Sequence, residues 1–251
     1  MSSLTDKTTI VVGASRGLGR GIATAFAQAG APVVAVARTG PATTEARSGA
    51  GAIHTEIADA ADAAVAARLL DRYKPAVVVL VAGATPYMRP LQEQTWETFS
   101  VHWATDVRIT FEWLREVLRG PLGPGGRVVV VSSGAALNPN GSPLSGGYAG
   151  AKATQRLITA YAQEEATRAG LEITFTTVLP QFAPETGVGQ PAVAAYAARA
   201  GVPVDAFLQR QPFELLTPEI AGAAMVELVQ TDAATLAAAY VLNGDGLKLL
   251  P

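Results

Sequence analysis

Short runs of β-branched, apolar residues alternate along this chain with longer stretches rich in alanine. Thr9–Val12, Pro32–Ala37, Ala76–Val81, Arg127–Val131 and Glu172–Val178 place apolar side chains on consecutive positions rather than on every second one. A strand of that kind is covered on both faces, as in a parallel sheet flanked by helices. A weaker strand pattern lies at Ala52–Thr55. A last one, Ala239–Leu242, precedes the turn Asn243-Gly244-Asp245-Gly246. Between them the spacing predicts helices over Gly17–Ala29, Ala60–Tyr73, Thr95–Arg119, Tyr148–Ala169 and Pro218–Val229, the first and fourth stopped by Gly30 and Gly170. The expected fold is α/β, a doubly wound parallel sheet of about seven strands with helices on both faces. With no linker and no internal repeat, residues 1–251 read as a single domain.

One stretch breaks the rhythm. Between Pro180 and Pro218 six prolines surround an alanine-rich segment, Ala192–Ala200. A long insertion after the carboxyl end of a strand tends to cover the ligand crevice, so a substrate lid is expected at about 181–216.

Composition narrows the chemistry. The chain has no cysteine, which excludes disulfides, thiolate catalysis and cysteine-bound zinc. Its two histidines, His54 and His102, cannot form a histidine-rich metal site, and no metal is expected. A net charge of −2 offers no electrostatic reason for nucleic acid or a membrane surface as partner. No signal-like segment precedes the first strand, and no run is long enough to span a bilayer. A cytoplasmic enzyme acting on a small molecule is the expectation.

The first strand runs directly into Gly13-Ala14-Ser15-Arg16-Gly17-Leu18-Gly19 at the start of the first helix. Glycines there permit a tight turn and close backbone approach to a pyrophosphate, and the helix N-terminus supplies unpaired N–H groups. The spacing G-x-x-x-G-x-G differs from the generic G-x-G-x-x-G dinucleotide fingerprint, but its strand–turn–helix setting is the same.

Tyr148 and Lys152 stand four residues apart on one helix and share a face. Upstream, Ser132 and Ser133 end a strand at the carboxyl edge, where α/β enzymes place their chemistry. A phenol ordinarily titrates near pH 10 and serves as acid or base only beside a cation. Lys152 supplies that charge, and a serine hydroxyl can hold the reacting oxygen.

With both motifs present, the chain resembles the short-chain dehydrogenase/reductase family over about Thr8–Gly246. That resemblance implies a Rossmann-type domain with Gly13, Gly17 and Gly19 as cofactor glycines and Ser15, Arg16 and Leu18 in the same turn. It also implies Tyr148 as catalytic acid/base, Lys152 as its partner and as a holder of the nicotinamide ribose, and Ser133 as catalytic serine, with Ser132 the alternative. Asp59, followed by Ala60, resembles the adenine-contacting aspartate; a helix N-cap is its other reading. Ala82 and Gly83 would pass beside the adenosine. Relatives pair through the Tyr–Lys helix, so a homodimer or homotetramer is implied.

The chain departs from the family pattern at three places. Asn-Ala-Gly after the fourth strand is Val81-Ala82-Gly83 here, and the usual Pro-Gly is Pro180-Gln181. Thr186 corresponds to a carboxamide-binding threonine only with one extra residue of spacing. Most consequentially, Asp106 falls where the family carries a fourth catalytic residue, ordinarily asparagine. A carboxylate would partly cancel the field of Lys152 at Tyr148. Activity should then peak at a higher pH than in an Asp106→Asn variant.

The second strand ends Ala37-Arg38-Thr39. A carboxylate at the place of Ala37 would bind a ribose 2′-hydroxyl and repel a 2′-phosphate. Here Arg38 follows an alanine, and Arg16 projects toward the same region, a pair suited to a phosphate monoester. The expected cofactor is NADP(H) rather than NAD(H).

The crevice should be lined by Thr85–Met88, Leu137–Leu144 and the lid from Phe182 to Phe213, with Arg89, Arg199 and Arg210 as its anion binders. A moderately apolar carbonyl compound or secondary alcohol, cyclic or aromatic, fits that lining. His102 lies one helical turn before Asp106 and could pair with it, although helical histidines are more often structural. Trp96, Trp103 and Trp113 read as core or subunit-contact residues. The competing readings are an NADP(H)-sensing binding protein without turnover and a dehydratase or sugar-nucleotide epimerase. The length of the chain disfavours the latter.

Overall fold

The computed structural model describes residues 3–40, 51–120, 122–138 and 142–250. Among these, eight strands form one sheet in the order β3-β2-β1-β4-β5-β6-β7-β8. They are β1 (Thr9–Val12), β2 (Val33–Ala37), β3 (Ile53–Ile57), β4 (Val77–Leu80), β5 (Gly126–Val131), β6 (Ile173–Pro180), β7 (Ala239–Asn243) and β8 (Gly246–Leu249). All neighbours are parallel except β7 and β8, an antiparallel hairpin. The sequence reading of about seven parallel strands missed β8, because Gly246–Leu249 is short and follows a two-residue turn.

Helices cover both faces because each strand is apolar on both. Val11, Ala35, Val79 and Val129 point to a core shared with α1 (Gly17–Gln28) and α8 (Pro218–Gln230). Their neighbours Ile10, Val12, Val34, Val78 and Val130 point the other way, onto α2 (Ala63–Tyr73) and α4 (Arg108–Arg119). The strand order reverses between β1 and β4, the switch point beyond whose carboxyl ends an open α/β sheet leaves a crevice.

The predicted helix over Thr95–Arg119 is three pieces in one run: α3 (Trp96–His102), a π turn over Trp103–Val107, and α4. Thr95 caps it, accepting the Thr98 N–H in a reciprocal capping box. The long α5 (Gly146–Arg168) packs beside it. A Cβ on Gly147 would lie 2.2 Å from the Phe99 carbonyl oxygen, so glycine there lets the two backbones approach. The lid folds into α6 (Gly189–Arg199) and α7 (Val204–Gln209). Among the described residues no helix is long and apolar enough to cross a membrane.

Candidate active site

A cleft of about 990 Å³ opens at the carboxyl ends of the strands. Its first wall is the glycine turn. Gly13 adopts φ +99°, and a Cβ there would lie 2.6 Å from the Ala82 backbone; Gly17 adopts φ +54°. Both conformations favour glycine strongly. Ser15, Arg16, Gly17 and Leu18 line the cleft beside Gly13. Gly19 does not: it is buried, and a Cβ on it would lie 2.1 Å from the Gly13 carbonyl oxygen. Gly19 thus lets the helix pack closely under the turn.

The turn, the end of β2 and the start of α2 enclose one end of the cleft. Arg38, Thr39, Asp59, Ala60, Ala82 and Gly83 all line it. Asp59 accepts the N–H of Ala61 at 3.0 Å, while the cap of α2 is Asp62, which accepts the N–H of Ala64. Asp59 is thus fixed by its own turn with its carboxylate at the cleft wall. Arg16 leans toward the lid, its guanidinium carbon 3.8 Å from where a Cβ on Gly187 would lie.

Tyr148, Lys152, Ser133 and Asp106 meet farther along the same cleft. The π turn explains how Asp106 arrives there. The Asp106 carbonyl accepts from Gln155 Nε2 of α5 (3.1 Å) and from the Thr110 hydroxyl (2.9 Å), which ties the turn to α5. Its carboxylate is fully buried. Oδ1 accepts the N–H of Ala84 at 2.8 Å and lies 3.3 Å from His102 Nδ1; Oδ2 lies 3.1 Å from Lys152 Nζ. The Asp106–Lys152 approach is close but poorly aligned for a hydrogen bond, so its attraction is chiefly coulombic. Gly83 must be glycine for this contact, since a Cβ would fall 2.5 Å from Oδ2. Where Val81 stands for the usual asparagine, Asp106 takes over the task of holding the loop after β4.

Charge fixes the protonation of the pair. Burial pushes the Asp106 carboxyl up, but the Lys152 ammonium and His102 outweigh it and hold Asp106 well below the usual carboxylate range. Burial pushes Lys152 down, yet the charge of Asp106, and then that of Tyr148, raises it above the ordinary ammonium value. Lys152 Nζ lies 5.5 Å from the centre of the Tyr148 ring. A phenol beside the cation of an ion pair can serve in proton transfer.

The two serines separate clearly. Ser132 is buried and donates its hydroxyl to the Lys152 carbonyl at 2.7 Å, fastening β5 to α5. Ser133 accepts the N–H of Ala135 and has its donor available to the cleft it lines. Thr186 also reaches the cleft, but its hydroxyl donates to the Ala183 carbonyl and accepts from the Gly189 N–H, which starts α6. Its hydrogen-bonding capacity is used by the lid.

The far end of the cleft is apolar. Phe182 stacks against Phe213 and meets Phe207 edge-on, with Met88 and Pro86 nearby. Arg89, Arg199 and Arg210, expected as anion binders, are not among the lining residues; among the described residues the charges there are on Arg16, Arg38, Asp59, Asp106 and Lys152. Tyr87 likewise turns away, whereas Asn138 and Ser142 from the expected 137–144 segment line the wall; residues 139–141 of that segment lie outside the described residues. The sequence reading missed Tyr196, whose hydroxyl lies 3.1 Å from the Ser145 hydroxyl and ties α6 to α5, and Gln211. Neither belongs to a motif with a recognisable spacing.

Comparison with known proteins agrees with this arrangement. A family model for short chain dehydrogenases matches residues 7–197. L-xylulose reductase of Mesocricetus auratus is 30% identical over 132 residues, 52% of this chain and 54% of that protein. L-xylulose reductase of Bos taurus is 28% identical over 129 residues, 51% and 53%. The chain thus spans about half the length of the curated relatives it matches. Among solved structures, a short chain dehydrogenase from Mycobacterium avium superposes with a TM-score of 0.75 at 22% identity, covering 100% of this chain and 86% of that one. Levodione reductase gives 0.82 at 22% identity, covering 96% and 97%.

Proposed function

The chain belongs to the short chain dehydrogenase family, and on that premise we propose that it is an NADP(H)-dependent oxidoreductase interconverting a carbonyl and a secondary alcohol. The observation that carries this reading is the convergence of Tyr148, Lys152 and Ser133 in the same cleft as the glycine turn. The turn fits a dinucleotide: Gly13 and Gly17 keep the wall free of side chains, and α1 presents its N-terminus there. A nicotinamide nucleotide supplies or accepts the hydride when bound.

This chain's residues then do the rest. Tyr148 gives its phenolic proton to the oxygen of a reduced carbonyl, or takes it from an alcohol in reverse. The Lys152 ammonium favours the phenolate that results. Ser133 donates its hydroxyl to the reacting oxygen and orients it. Asp106 holds Lys152 in place and moderates its field. Arg38 gives NADP(H) its preference, since the alanine at 37 offers no carboxylate to a ribose 2′-hydroxyl, and Arg16, which leans toward the lid here, would turn to the 2′-phosphate on binding. Phe182, Phe207 and Phe213 favour an uncharged, cyclic or aromatic ketone. The chain acts as a homo-oligomer.

The test follows NADPH absorbance with a panel of cyclic and aryl ketones and quinones. Turnover by the wild type, reduced about 10²- to 10⁴-fold by Tyr148→Phe, supports the proposal. Undiminished turnover in that variant would refute it. NADPH binding without turnover across the panel would favour a sensor.

A further inference from the structure

His102 takes no part in the steps above, yet it is built into their centre. It is buried, and its ring stands edge-on to that of Tyr148, with centroids 5.0 Å apart. Nδ1 faces Asp106 Oδ1 at 3.3 Å, and Nε2 is buried without a hydrogen-bond partner among the described residues. The groups that face it are Asp106 on its own helical run, Tyr148 and Lys152 on α5, and Tyr87 across a small pocket also lined by Gln94 and Thr98.

The donor assignment follows from the carboxylate. An ionised Asp106 only accepts, so the contact requires a hydrogen on Nδ1. That hydrogen bond has a consequence for Lys152. A carboxylate free to turn would present both oxygens to the ammonium and draw it away from the phenol. With Oδ1 engaged by His102, the Ala84 N–H and the Thr105 hydroxyl, only Oδ2 meets Nζ. The ammonium is then held from one side only, and it also lines the cleft.

We propose that His102 is a positioning residue of the catalytic centre, which locks the Asp106 carboxylate so that Lys152 is paired through one oxygen and stays available to Tyr148. Aspartate at 106 and histidine at 102 form one functional unit. This inference rests on the oxidoreductase reading for its catalytic consequence, but the locked geometry is measurable without turnover.

Two measurements test it. In the first, reduction of 9,10-phenanthrenequinone by NADPH is followed in wild type, His102→Leu, Asp106→Asn and the double variant. His102→Leu should lower kcat about 10- to 100-fold with KM changed less than about 2-fold, the scale of a lost charge-assisted hydrogen bond in a buried network. The alkaline limb of its pH profile should move upward. In the Asp106→Asn background the same substitution should cost less than about a third of that factor. An unmoved pH profile, or equal losses in both backgrounds, would mean that His102 only fills space.

The second measurement is ¹⁵N NMR of the two histidines in the wild-type protein. His102 should hold its hydrogen on Nδ1 and lose that preference in Asp106→Asn. A dominant Nε2–H form would overturn the proposal. A wild type that leaves NADPH unoxidised would count against the oxidoreductase reading alone, and the NMR result would still decide the role of His102.

Discussion

The ammonium of Lys152 lies 3.1 Å from Oδ2 of Asp106, and both groups are buried beneath the ring of Tyr148 and the loop after β4. The carboxylate partly offsets the ammonium's field at the nearby phenol. The cation that makes Tyr148 useful is therefore tuned down.

Replacing Asp106 by asparagine removes the cancelling charge while keeping an acceptor for the Ala84 N–H. The field of the Lys152 ammonium at the phenol is then no longer offset. The pH–rate profile for carbonyl reduction should move to lower pH by about one unit, the scale of one neighbouring charge in a partly buried site. A profile that stays in place would show that Asp106 does not act on Tyr148 electrostatically.

The same pair holds the fold together over a defined range of pH. The Asp106 carboxyl lies below its ordinary value of 3.8 in the folded chain, so its contribution is in place above that pH and fades as pH falls through the lower folded value. Lys152 lies above its ordinary 10.5, so its contribution is present below that pH and is lost as pH rises through the higher folded value. Asp106→Ala strands a buried ammonium and should cost about 3–5 kcal/mol at pH 7 in urea denaturation. The difference from wild type should shrink once pH falls well below 3.8.

Gly13→Ala tests the glycine turn. The residue sits at φ +99°, and its Cβ would collide with Ala82, whose backbone lies 2.6 Å away. The strand ends must part or the turn must change. A loss of at least about 2 kcal/mol in stability, together with weakened NADPH binding in a fluorescence titration, is expected. Unchanged binding would mean that the turn is not the cofactor cradle.

Cofactor choice depends on the end of β2. Ala37→Glu should shift the ratio of kcat/KM for NADPH over NADH toward NADH by about 10- to 100-fold, and Arg38→Ala should lower kcat/KM with NADPH alone. If wild type uses both cofactors equally, the assigned roles of Arg38 and Arg16 are wrong.

Much of this was legible in the sequence because the physics was local. Runs such as Val128–Val131 can be buried on both faces only in a covered sheet, whereas the switch point beside Gly13 is visible only in the spatial strand order. The Tyr148–Lys152 spacing placed two side chains on one helical face. What escaped depended on neighbours distant in the chain. The π turn at Trp103–Val107 leaves no mark in the apolar pattern, yet it delivers Asp106 to Lys152 with the help of Gln155. Ser132 and Ser133 could not be told apart until the Lys152 carbonyl was seen to take the hydroxyl of the first. Gly19 and Thr186 fit a ligand-binding pattern; the structure adds that the first packs against the Gly13 carbonyl and that the second accepts the N–H of Gly189.

The central claim is tested most directly by a crystal structure of the chain with NADP⁺. The diphosphate should lie on the Gly13–Gly19 turn and the 2′-phosphate beside Arg38. The Tyr148 hydroxyl should face nicotinamide C4 at about 4–5 Å, leaving room for a substrate carbon at near-attack distance. A nicotinamide ring lying outside the cleft, or a Tyr148 hydroxyl pointing away from it, would contradict the account.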